Sequence, residues 1–107
     1  MLKHKFSIYV PSTVNINETT DNTEKVRETL VFLSGLFGGA TSTAASGAWV
    51  SDSAGLVVED VTICYAFCSF WQMLRNRKTV KAYAARIREE MQQDAVSVEI
   101  DGRLLFV

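Results

Sequence analysis

The sequence predicts an α+β domain in which one antiparallel sheet carries two helices on a single face. Three observations lead there. KFSIYV at 5–10 and VSVEI at 96–100 alternate apolar with polar residues, the period of a half-buried strand. Two other stretches repeat apolar residues every three or four positions, the period of a helix. Turn-forming residues separate strand-like segments directly, at SDSAG (51–55) and at Asp101-Gly102.

The elements follow in order. In Lys5–Val10, Phe6, Ile8 and Val10 share one face, while Lys5, Ser7 and Tyr9 share the other. The polar run PSTVNINETTDN (11–22) reads as a loop, and Asp21 followed by Glu24 fits a capping box. Val26, Leu30, Leu33 and Phe37 then form one helical stripe, closed by Gly38-Gly39. Ala40–Val50 and Leu56–Phe67 are small, β-branched and aromatic, and flank the 51–55 turn as a hairpin. SFWQMLRNRK (69–78) suits a short helix or a loop. A second helix over about Thr79 to Met91 is marked by Val80, Ala84, Ile87 and Met91. Val96, Val98 and Ile100 point one way, and Asp101-Gly102 turns the chain into a last strand, Arg103–Val107. The order β-α-β-β-α-β with a terminal hairpin strand is the ferredoxin-like arrangement, with residues 1–107 as one domain. One sheet face would then lie open, with some of Tyr9, Trp49 and Tyr65 on it. An aromatic face of this kind is expected to pair with a second copy.

Composition excludes more than it selects. The chain is 48% hydrophobic and 21% charged, which is globular rather than disordered. A net charge of −1 favours neither nucleic acid nor an anionic membrane. The basic, then apolar start MLKHKFSIYV is cut off by Pro11, too early for a signal peptide. No stretch approaches the roughly 20 apolar residues of a membrane span, so the expected location is the cytoplasm. Cys64 and Cys68 lie four apart on one strand, about 13 Å at ~3.3 Å per residue. That separation rules out a disulfide, leaving buried thiols.

The glycine-rich stretch FGGATSTAASGAWVSDSAGLVVED (37–60) invites a phosphate-loop reading, which its context opposes. A phosphate loop opens a helix, whereas FGGAT follows one, and neither the GxxxxGK[ST] lysine nor GxGxxG spacing is present. The glycines are structural: Gly38 and Gly39 cap a helix, Gly47 eases a bend or bulge beside Trp49, and Gly55 and Gly102 serve turns.

Few residues suggest chemistry. His4 is the only histidine, near the chain start, and is expected in solvent. That leaves no Ser-His-Asp triad, no histidine metal site and no catalytic or metal assignment. Glu59 and Asp60 are adjacent on a strand and face opposite ways, while Glu89 and Glu90 fit a solvated helix face. Gln92, Gln93 and Asp94 mark a helix-to-strand junction where Gln93 is a candidate ligand amide. Trp49, Tyr65, Glu59 and Gln93 are the candidates for a pocket or dimer seam. Arg75, Arg77, Lys78, Lys81, Arg86 and Arg88 crowd positions 75–88 without an acid among them. They form a candidate basic surface, read first as a solvated helix face and second as a nucleic-acid contact.

Several of these residues together resemble a family of small bacterial proteins of unknown function with a ferredoxin-like α+β fold. The matching positions are Phe37, Gly39 and Thr41 after the first helix; Gly47, Trp49, Gly55, Leu56, Val57 and Glu59 in the hairpin; and Gln93, Asp94 and Val96 at the later strand. The resemblance covers about two-thirds of the chain and implies the fold without implying an activity. With one histidine and no adjacent nucleophile, the sequence favours a non-enzymatic, homodimeric protein-interaction module without a cofactor. Mobile-element accessory proteins and phage-type inhibitors have this form. The alternatives are a dimeric α+β-barrel small-molecule binder or enzyme, and a nucleic-acid binder using the basic helix.

Overall fold

Phe6, Ile8 and Val10 of β1 (His4–Pro11) are fully buried, and the rest of the fold is arranged around them. The computed structural model describes residues 1–14 and 18–107. β4 (Thr41–Ser51), β5 (Gly55–Cys68), β1, β6 (Ser97–Ile100) and β7 (Arg103–Phe106) lie in that spatial order in one five-stranded sheet. Every pairing is antiparallel. A separate ribbon pairs β2 (Thr13–Val14) with β3 (Glu18–Thr19), so the expected 11–22 loop contains two short strands. Its Asn15, Ile16 and Asn17 lie outside the described residues.

Side chains alternate across a strand, and the register decides which go inward. Phe6 sits opposite Ala66 and Ile100, and Ile8 opposite Cys64 and Val98. These residues form one core with Leu33 and Phe37 of α1 (Thr23–Phe37) and Met73, Val80, Tyr83, Ala84 and Ile87 of α2 (Phe70–Glu90). Both helices therefore cover the same face. Cys64 and Cys68 are buried free thiols on that face, and burial pushes the Cys64 thiol up to about 11.

Local chemistry explains where the elements start and stop. α2 begins nine residues before the expected Thr79 because Ser69 and Gln72 form a reciprocal capping box, which resolves 69–78 as helix. The expected Asp21–Glu24 box is absent. Asn22 occupies the cap without a side-chain cap bond, and Asp21 accepts from the Thr23 amide at 3.0 Å. α1 ends at Gly38, whose φ of 90° favours glycine. Asp101 and Gly102 both take positive φ, 51° and 83°, as a two-residue hairpin turn demands. Gly47 pairs in unbroken register with Glu59, so no bulge interrupts the hairpin beside Trp49.

β1 pairs with β5 only as far as Val61. The β4–β5 hairpin continues beyond it to the Ser51–Gly55 pair, as a two-stranded arm. No helix among the described residues is long and apolar enough to cross a membrane.

Candidate functional site on the open sheet face

The sheet face away from the helices carries the odd-numbered residues of β1. Register aligns Thr41, Tyr65, Ser7, Glu99 and Leu104 in one row across all five strands. Ser7 is 1% exposed, an unusual burial for a polar residue on an uncovered face. Its hydroxyl donates to Glu99 Oε1 at 3.1 Å. The other oxygen, Oε2, accepts from the Gly102 amide at 3.0 Å. Lys5 Nζ stands 3.5 Å from Oε1 and 5.8 Å from the centre of the Tyr65 ring. Phe67 meets Tyr65 edge-on, with centroids 6.0 Å apart.

A carboxylate held by a hydroxyl, an amide and the Lys5 ammonium thus lies two strands, about 10 Å, from two aromatic rings, with Lys5 between them. Lys5 already supplies a cation to both the carboxylate and the ring face, and the rings offer a planar ligand an apolar surface to lie on. Among the described residues no group of three or more His, Cys, Asp or Glu side chains is placed to hold a metal.

The four residues expected to form a pocket or seam are dispersed. Tyr65 belongs to the row above. Trp49 pairs with Val57, eight residues along β5 from Tyr65 and therefore about 26 Å away. Its ring is 53% exposed, on the arm. Glu59 lies on the same side of the arm, opposite Gly47. Gln93 turns elsewhere, donating to the Thr13 carbonyl at 2.8 Å and pinning the α2–β6 junction to β2.

The basic surface is also divided. Arg86 is tied to Glu28 at 2.6 Å and lies over the Tyr83 ring, and Arg88 reaches Glu89. Arg75, Arg77, Lys78 and Lys81 make no ion pair among the described residues. His4 is not simply solvated. Nδ1 lies 2.6 Å from Asp101 Oδ2, and Asp101 Oδ1 accepts from the Lys5 amide at 2.8 Å. The histidine bond chiefly lowers the Asp101 carboxyl from its ordinary value. Lys5, Ser7 and Glu99 were not singled out from sequence, although the alternation of KFSIYV and VSVEI already put each opposite the core.

No protein-family model matches the chain and no curated protein does, in keeping with its resemblance to a small family of unknown function. Two solved structures do match. A phage SAM lyase in complex with S-methyl-5′-thioadenosine is 22% identical, with a TM-score of 0.69 over 97% of this chain and 88% of that one. A phage SAM lyase in the apo state is 18% identical, with a TM-score of 0.67 over 99% and 89%. The likeness establishes the fold. It also overturns the sequence-based preference for a non-enzymatic interaction module, since an enzyme uses this architecture across nearly its whole length. A count of histidines and nucleophiles does not by itself decide against an enzyme, because not every bond cleavage needs them.

Proposed function

We propose that this chain binds S-adenosylmethionine on the open sheet face and releases S-methyl-5′-thioadenosine from it. One observation carries the reading: the near full-length likeness to a SAM lyase holding that thioether. The strand order β4-β5-β1-β6, with both helices on one face, supports the ferredoxin-like arrangement, β7 being added at the edge.

The chemistry explains how a site so poor in acids and bases suffices. Release of the thioether breaks the bond between sulfur and the methionine Cγ. The electron pair passes to sulfur, which loses its positive charge. The substrate's own carboxylate oxygen bonds to Cγ, closing a five-membered lactone. Both products together hold every substrate atom, and no proton moves. A sulfonium is already an activated leaving group, so neither a general acid nor a protein nucleophile is required.

What the protein must supply is position and surroundings. Holding carboxylate and Cγ in contact replaces a rare conformer with a populated one. Glu99 suits the substrate ammonium, which takes the place of the exchangeable Lys5 there; its charge persists unchanged through the reaction, so this contact orients without favouring only the ground state. Tyr65 and Phe67 offer the sulfonium and the purine an aromatic surface. The carboxylate and sulfonium charges cancel as the new bond forms, so the step gains from the water that the substrate displaces on covering the two rings.

The test is direct. Purified protein incubated with S-adenosylmethionine is expected to release S-methyl-5′-thioadenosine in proportion to protein concentration, and Glu99→Gln to slow it. Release no faster than in buffer overturns the proposal.

A further inference from the structure

The charges of this chain are segregated. From residue 38 to residue 74 there is no Lys, Arg or His, and the three acids Asp52, Glu59 and Asp60 belong to the hairpin arm. From 69 to 88 there is no acid, and six cations lie on α2. The molecule is elongated, 45 × 25 × 21 Å.

Each charged region also exposes apolar surface. On the arm, Val50, Leu56 and Val58 fall on the side that carries Cys64 and Ala66 further along β5. In the body of the sheet the helices cover this side; beyond Val61 neither helix does. Val50 is 79% exposed and Leu56 67%. A two-stranded ribbon is marginal in water by itself, so an apolar strip there asks for a helix to cover it. At the start of α2, Phe70, Trp71 and Leu74 are exposed, Trp71 by 69%, and Arg75, Arg77, Lys78 and Lys81, without an ion pair among the described residues, follow them.

We propose that the arm of one copy docks on the first turns of α2 of another. Val50, Leu56 and Val58 pack on Phe70, Trp71 and Leu74, and Asp60 on the same side of the arm and Asp52 at its tip face the cations. Charge selects this pairing. Arm against arm would oppose acids to acids, and α2 against α2 would oppose cations to cations. Only arm against helix brings opposite signs together, which aligns partners and rejects the like-charged pairings. The contact is distinct from pairing of the open sheet face, and independent of what binds at Glu99. Repeated from copy to copy it closes into a ring or a reciprocal dimer.

Charge reversal tests it. Light scattering at micromolar concentration is expected to give a multiple of 11.9 kDa for the unaltered protein. Reversing the arm (Asp52→Lys with Asp60→Lys) or the helix (Arg75→Glu with Lys78→Glu) should each yield monomer, with the circular dichroism of the parent. All four changes in one chain should restore assembly. Trp71→Ser, a truncation of an exposed side chain, should raise the concentration for half-assembly at least tenfold. The proposal is overturned by a monomeric parent, whether or not it binds an oligonucleotide through the basic helix. It is equally overturned by assembly that survives either reversal, by a half-assembly concentration that Trp71→Ser leaves unchanged, or by a folded fourfold variant that stays monomeric.

Discussion

Ser7 and Glu99 face each other across β1 and β6, and the buried hydroxyl of one donates to the carboxylate of the other at 3.1 Å. The bond fixes a carboxylate on a sheet face that no helix covers, with the Gly102 amide and Lys5 holding it from other directions. Glu99→Gln preserves size and one acceptor while removing the charge. A hydrogen bond to a charged group contributes about 1.5–3 kcal/mol, so thioether release from S-adenosylmethionine should fall roughly 10- to 100-fold. Thermal melting should show the fold retained. Activity equal to the parent would remove Glu99 from the site.

Acid should loosen the clasp at the other end of β1. His4 and the Lys5 amide hold the Asp101 carboxyl below its ordinary value. A carboxyl lowered in the folded state adds stability above its unfolded value, near 3.9. That stability is lost as pH falls from there through the lowered folded value. Asp101→Asn tolerates the positive φ of this position and should flatten the acid limb of the stability curve. The pair is partly exposed, so at neutral pH the change should be under about 1 kcal/mol. Urea melts between pH 2 and 7 check this, and parallel acid limbs would contradict it.

The capping box at Ser69 is expected to behave as an ordinary helix cap. Its side chain accepts from the Gln72 amide and the Gln72 side chain accepts from the Ser69 amide. Ser69→Ala should cost about 1 kcal/mol, some 4–8 °C in melting temperature for a domain near this size. An unchanged melt would mean that α2 is held at this end by packing alone.

Buried thiols should be inert. Desolvation pushes Cys64 up to about 11 and raises Cys68, with Asp101 adding to the latter. The thiolate is the reactive form, so a chromogenic disulfide at pH 8 should label neither cysteine in native protein and both after denaturation. Prompt labelling of the native chain would contradict the buried placement.

Tyr83 and Thr29 join the helices through the core, their hydroxyls 3.1 Å apart. Thr29→Val strands the tyrosine hydroxyl and should cost about 1–3 kcal/mol. Adding Tyr83→Phe should recover part of that loss, because both polar partners are then gone. Strict additivity in denaturant melts would show that the hydroxyls do not interact.

The strands and the helical stripes were legible because each rests on local alternation or local period. Phe6, Ile8 and Val10, or Val80, Ala84, Ile87 and Met91, need no distant information to be assigned to the core. The start of α2 stayed open between helix and loop although Ser69 and Gln72 spelled a capping box, since exposed Phe70 and Trp71 break the apolar period that defines a helix. The site was only half legible. Alternation placed Lys5, Ser7, Tyr9 and Glu99 opposite the core, but the join of Ser7 to Glu99 is a pairing across 92 residues, which no local signal encodes. Trp49 and Gln93 were grouped with Tyr65 by chemical type, and the length of the hairpin separates them. His4 seemed free for the same reason: Asp101 comes beside it only through the β1–β6 pairing.

The most direct measurement is chromatographic detection of S-methyl-5′-thioadenosine after purified protein meets S-adenosylmethionine, beside Glu99→Gln and a buffer control. The expected result is release proportional to protein concentration and cut at least tenfold by the substitution. Release at the buffer rate from folded protein would contradict the assignment of S-adenosylmethionine cleavage to this sheet face.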